Sequence, residues 1–177
     1  MIPDVSREIS RRLGPARVRG VCFGTTALLA ALTLTACADE PITLDSPQVS
    51  AEDLAACNAF IDDVPRRLDG EERRKVNPAN SLGAAWGDPA IIVRCGVGVP
   101  EEFDQFAHCE VANDVGWFVP DDVIADQDAD ATFTAVGYRP IVSVDLPHEY
   151  RPEGGAAVIA ELARTVQDNL ELVEDCE

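Results

Sequence analysis

The chain has 177 residues, 14 Lys+Arg against 32 Asp+Glu, and a formal net charge of -18; 46% of it is hydrophobic and 6% aromatic. The length suits one folded domain, and the composition is that of a soluble globular protein. The charge excludes a nucleic-acid binder of the usual basic kind, since phosphate affinity comes from clustered Lys and Arg. That charge is uneven. Residues 1–36 hold five Arg (Arg7, Arg11, Arg12, Arg17, Arg19) against Asp4 and Glu8, a net of +3, so the remainder holds 9 basic and 30 acidic groups, or -21. Such an asymmetry marks a targeting segment ahead of an acidic domain.

Val21 to Ala36 is an uncharged run of 16 residues, short of the ~20 that span a bilayer as a helix. A basic segment, an apolar run and small residues at its end read as a secretory signal over 1–36. Leu34-Thr35-Ala36-Cys37 resembles the lipobox of bacterial lipoproteins. The resemblance implies cleavage before Cys37, a diacylglyceryl group on its thiol and palmitate-type acyl chains. Each buried CH2 contributes ~0.8 kcal/mol to such anchoring. The expected location is therefore the extracytoplasmic face of the cell membrane. Ser10-Arg11-Arg12 hints at twin-arginine export, but Gly14 stands where that motif wants a bulky apolar residue, so both export routes stay open. Residues 37–50, the lipidated Cys37 and a stretch with two prolines and no sustained period, read as a flexible spacer. Repulsion between the acidic domain and anionic headgroups favours standing off.

Residues 51–177 read as a single α+β domain. From Ala51 the apolar positions Leu54, Cys57, Ile61, Val64 and Leu68 advance at helical spacing, with Ser50 as N-cap and Asp53 as its capping-box partner. At the other end Ile159, Leu162, Val166, Leu170, Val173 and Cys176 form a second helical stripe. Between them lie strand-like runs: 90–95 after Gly87-Asp88-Pro89, 116–119 before Pro120, and 132–136 with 141–146 as a hairpin about Gly137-Tyr138. In the last run Val142, Val144 and Leu146 alternate with Ser143 and Asp145, as on a sheet with one solvated face. The expectation is a two-layer fold: an antiparallel sheet of about four to five strands, with the N- and C-terminal helices packed on one face.

Of six cysteines, Cys22 leaves with the signal and Cys37 takes lipid; Cys57, Cys95, Cys109 and Cys176 remain, an even number suited to an oxidising compartment. Cys57 near the start of one helix and Cys176 at the end of the other meet if the helices pack antiparallel. That predicts Cys57–Cys176 and leaves Cys95–Cys109 for the sheet. No C-x-x-C and only two histidines argue against zinc.

Ala85-Trp86-Gly87-Asp88-Pro89 and Arg94-Cys95-Gly96, together with Val64-Pro65, Trp117, Phe133-Thr134, Arg139 and Pro147, resemble an actinobacterial family of secreted or lipid-anchored proteins, domain of unknown function 3515. The resemblance covers roughly residues 55–170 and departs at Val64, where a Leu is usual. It implies an actinobacterial envelope protein and no catalytic activity. The Arg-rich, nearly Lys-free composition is compatible with a high-GC genome.

Catalytic motifs are missing from the sequence. Ser46, Ser50, Ser81 and Ser143 lie outside any G-x-S-x-G, and there is no H-E-x-x-H, P-loop or G-x-G-x-x-G. Of His108 and His148, the second adjoins Glu149, but neighbours on a strand point to opposite faces, so His148 reads as a surface residue. Asp126, Asp128 and Asp130 open a loop like that of an EF-hand; it then fails at Ala131 and Gly137, where Gly and Glu are needed. Trp86, Asp88 and Arg94 read as a structural turn, with a ligand cleft as the rival. The expectation is a lipid-anchored, non-catalytic binding module with a possible envelope protein partner, no nucleic acid and no cofactor. The alternatives are a small envelope hydrolase or transferase using acidic residues with His148, and a weak Ca²⁺-dependent module.

Overall fold

Two apolar, β-branched runs lie side by side at the centre of the sheet, and shorter, more polar segments are added outwards from them. A computed structural model describes residues 40–104 and 106–176. The signal segment, Ser10-Arg11-Arg12, the lipobox and Cys37 lie outside the described residues. In chain order the elements are β1 (Ile42–Thr43), α1 (Ala51–Asp63), β2 (Arg67–Leu68), β3 (Glu71–Arg74), β4 (Val76–Asn77), β5 (Gly83–Trp86) and β6 (Ile91–Cys95). Then come β7 (Cys109–Ala112), β8 (Val115–Phe118), α2 (Asp121–Ala125), β9 (Ala131–Ala135), β10 (Tyr138–Arg139) and β11 (Val142–Leu146). A 3-10 turn (His148–Tyr150), α3 (Arg151–Asn169) and β12 (Glu171–Leu172) complete the chain.

The main sheet has eight antiparallel strands in the order β2-β3-β5-β6-β11-β9-β8-β7, flanked by two small pairs, β1–β4 and β10–β12. This corrects the expected sheet of about four to five strands. The protein is mostly β, and the extra strands are ones that carry no apolar alternation. β3 is Glu-Glu-Arg-Arg and β5 is Gly-Ala-Ala-Trp, buried throughout. Two-residue turns join the outer hairpins. Asp69-Gly70 (φ 51 and 79) links β2 to β3, and Asn113-Asp114 (φ 48 and 64) links β7 to β8. Both central residues at positive φ is the twist that suits a two-residue hairpin.

Ser50 caps α1 by accepting the Asp53 N–H at 3.1 Å. The helix stops at Asp63, ahead of Val64-Pro65; Leu54 is exposed, while Phe60, which the stripe omitted, is fully buried. α1 packs on β6, α3 packs on β7, β8 and β11, and the two helices touch. Their apolar sides share one core with Trp86, Val93, Trp117, Val142, Val144 and Leu146. Ser143 is itself buried, so the outer face of β11 is not simply solvated.

The disulfides are Cys57–Cys95 and Cys109–Cys176, with Cα–Cα distances of 5.4 and 5.6 Å, inside the usual range. The expected pairs Cys57–Cys176 and Cys95–Cys109 are therefore corrected. The reason is where α3 ends. Leu170 adopts an extended cap, and the chain beyond it pairs with β10. Cys176 is thereby carried to β7–β8 rather than continuing a helix towards Cys57. Cys95, facing inward from β6, meets Cys57 where α1 lies on that strand.

Nor are residues 40–50 a free spacer. Ile42 donates to the Lys75 carbonyl (2.9 Å) and Leu44 to that of Asn77 (3.0 Å). Leu44 is 3% exposed, and Ser46 Oγ accepts the Leu82 N–H at 2.9 Å. Buried apolar side chains and paired backbone groups tie this stretch to the sheet. No helix among the described residues is long and apolar enough to cross a membrane.

Candidate functional site at the His148–Arg151 junction

β11 ends at Leu146, ahead of Pro147, which has no N–H to continue a ladder. The chain then makes one 3-10 turn, closed by Tyr150 N–H to the Pro147 carbonyl at 3.1 Å, and passes into α3 with Pro152 in its first turn. Proline is pre-organised for that position. The turn splays four consecutive side chains. His148 donates its backbone N–H to Asp130 Oδ1 at 2.9 Å and places Nδ1 3.0 Å from the same oxygen. Glu149 Oε2 lies 3.3 Å from Nδ1. Tyr150 donates its hydroxyl to the Pro89 carbonyl at 2.9 Å. Arg151 donates to the carbonyls of Val123 and Ala129, both at 2.7 Å, and to that of Asp126. The junction thus ties the acidic 121–130 loop on one side to the Gly87–Pro89 turn on the other.

His148 and Glu149 do come together, contrary to the strand reading, because a 3-10 turn rather than a strand carries them. The electrostatics are mutual. The hydrogen bond to Asp130 raises the His148 pKa above 6.5 against an opposing desolvation, with smaller help from the charges of Glu149, Asp130 and Asp128. The backbone N–H of His148, then its side chain, lowers Asp130 below 3.8. His148 is half exposed and Asp130 is 75% exposed at its side chain, so solvent screens the pair.

Chemically the arrangement can hold and orient a proton on the imidazole. A nucleophile is not assembled with it: no hydroxyl or thiol among the described residues hydrogen-bonds to His148. Asp130, His148 and Glu149 also form the one group of metal-capable side chains found among the described residues, and all three are exposed. A cation there would have to displace the Nδ1 proton that the two carboxylates favour.

Asp126 and Asp128 do not join this group. Asp126 Oδ1 accepts the Asp128 N–H at 3.0 Å, and the Arg151 guanidinium is bonded to the Asp126 and Ala129 carbonyls, a positive charge that disfavours a calcium ion beside it. Trp86 and Arg94 part company as well. Trp86 is fully buried, opposite Ile91 on the inner face, with Nε1–H to the Pro65 carbonyl at 3.0 Å. Arg94 lies on the outer face, paired with Asp145, which also accepts from Thr132 Oγ1 at 2.9 Å. Asp88 is exposed, 3.9 Å from Arg74. These three residues therefore do not line one cleft. Arg151 and Tyr150 were missed; the available signal was an aromatic and an Arg directly before a helix-opening Pro.

The cavity beside Arg151, lined also by Phe133 and Ile159, measures about 170 Å³, below the 300–1,000 Å³ usual for small-molecule sites. Hollows of about 430 and 510 Å³ flank Asp175 and Cys176, and one of about 480 Å³ lies at His108. None of the four is lined by His148.

Fold and junction together define an acidic, disulfide-closed β domain whose charged cluster is organised as a structural tie. The chain belongs to the family described as Protein of unknown function (DUF3515), whose model matches residues 20–174. No curated protein and no solved structure matches it.

Proposed function

We propose that this protein is a lipid-anchored, non-catalytic binding module on the extracytoplasmic face of an actinobacterial cell membrane, serving an envelope protein partner. The observation that carries the reading is the placement of Leu34-Thr35-Ala36-Cys37 three residues ahead of Glu40, where a domain closed by two disulfides is already under way. Disulfides persist in oxidising compartments, and a lipobox cysteine there would receive acyl chains. The absence of a nucleophile at His148 among the described residues favours binding over hydrolysis.

Detergent phase partition and acyl-chain labelling in the native host test this. The intact chain is expected in the membrane fraction with label on Cys37, and Cys37→Ser is expected unlabelled and soluble. Label retained by Cys37→Ser, or an intact chain found reduced in the cytoplasm, overturns it.

A further inference from the structure

Charge is strongly polarised across the sheet. Residues 66–87 hold Arg66, Arg67, Arg73, Arg74 and Lys75 against Asp69, Glu71 and Glu72, a net of +2, and Arg66 lies opposite Arg73, its carbonyl accepting the Arg73 N–H at 2.9 Å. Residues 95–138 hold ten acidic side chains and neither Arg nor Lys. The first group belongs to β2, β3, β4 and β5, the second to β7, β8, α2 and β9. In the strand order β8 is five steps from β3, about 24 Å at ~4.8 Å per step.

The chain enters the domain at the basic corner. Arg74 donates to the Glu40 carbonyl at 3.2 Å and Ile42 to the Lys75 carbonyl at 2.9 Å. Glu40 is therefore held against the end of β3. From Cys37 to Glu40 there are three Cα steps, at most ~11 Å, comparable with the ~8–10 Å Debye length at physiological salt. Arg66, Lys75 and Asn77 to Asn80 are all exposed. Arg74, tied to Gly87 and Glu40, belongs to the scaffold.

We infer that the corner formed by Arg66, Lys75 and the 78–80 loop rests on the anionic headgroups of the membrane, holding the acidic β7–β8–α2 corner away from it. This rests on the lipid-anchor reading and replaces the expected standing-off on a flexible spacer. A uniformly acidic body would be repelled. Here the three steps from Cys37 bring to the surface the corner that gathers five of the nine basic residues beyond position 36, and leave the acidic corner facing outward. The occupant is an anionic bilayer, chosen by charge complementarity and by the short reach from Cys37.

Lys75 is the only lysine in the chain and so reports on its own surroundings. The acylated full chain is reconstituted into phosphatidylcholine vesicles with and without phosphatidylglycerol. It is then treated with a membrane-impermeant amine reagent, and labelling is read on the peptide that carries Lys75. The expected result is labelling several-fold slower on phosphatidylglycerol-containing vesicles, restored by 1 M salt and by Arg66→Glu. Equal rates on both vesicles, with the protein floating and its N-terminal peptide carrying acyl mass, overturn the orientation alone. A chain that neither floats nor carries acyl mass overturns the anchor reading and the orientation with it.

Discussion

Cys57–Cys95 and Cys109–Cys176 close two halves of one sheet in opposite surroundings. Cys57 and Cys95 are fully buried, α1 against β6, among Phe60, Val93 and Val142. Cys109 and Cys176 are only partly buried, and the segment that delivers Cys176 exposes Leu172 and Val173 by about half. What holds that segment is backbone. Val173 donates to the Gly137 carbonyl at 2.9 Å, and a Cβ on Gly137 or Gly116 would run into the carbonyl oxygens of Glu174 and Cys176. The first link is embedded in apolar packing; the second replaces packing that the segment lacks. A disulfide's effect depends on what else holds its ends together.

The largest expected effect separates these two cases. Chain entropy alone predicts about 4 kcal/mol for the 38-residue separation and slightly more for the 67-residue one. Packing reverses that order. Cys57→Ala with Cys95→Ala also removes two buried sulfurs from the core, so urea unfolding is expected to show a loss of about 4 kcal/mol or more. With Cys109→Ala and Cys176→Ala the tail frays and the native state regains entropy, so the global loss is expected to be smaller. Fast amide exchange should then appear at Val173 and Glu174. A larger loss for the second pair would show that the tail is integral to the core.

The same contrast explains what the sequence disclosed. Ile91–Cys95, Val115–Phe118, Ala131–Ala135 and Val142–Leu146 are apolar and β-branched or aromatic enough to read as strands, and Ser50 marks a helix start. β3 is charged at every position and β5 is three small residues ahead of Trp86, buried on both faces, so neither shows the alternation that identifies a strand. Asp69-Gly70 and Asn113-Asp114 were legible turn signals that went unused. Val173 and Cys176 continue a helical stripe in sequence but not in structure, because apolar spacing of three also fits an irregular extended tail. At the junction His148 and Glu149 were visible as residues. Their convergence was not, since it depends on a 3-10 turn and on Asp130 from a distant strand start.

A finer comparison uses one tryptophan from each half. Trp86 and Trp117 are both fully buried, but Trp86 Nε1–H reaches the Pro65 carbonyl while Trp117 Nε1 has no partner among the described residues. Replacing either by Phe removes similar volume, so the cavity contributions largely cancel. Trp86→Phe also strands a carbonyl and weakens the Arg73 guanidinium contact over the ring, 5.9 Å from its centroid. It is expected to destabilise by about 1 kcal/mol more than Trp117→Phe. Equal losses in denaturant unfolding would mean that the Pro65 bond adds nothing net.

The smallest expected effect lies at the exposed junction, where the sign is more informative than the size. Asp130 is lowered, so its contribution is present above its unfolded pKa of 3.8 and is lost as pH falls through the folded value. His148 is raised, so its contribution is present below 6.5 and is lost as pH rises through its higher folded value. The Asp130–His148 contact should therefore be tightest in the acid-to-neutral window between those limits. Imidazole resonances followed by NMR should give His148 a midpoint above 6.5. Asp130→Asn should bring that midpoint down, leaving only the weaker pull of Glu149 and Asp128. A wild-type midpoint at or below 6.5 would remove the ion pair. His148 would then be held by its backbone N–H alone, with an unpaired imidazole free to ligate a metal beside Glu149.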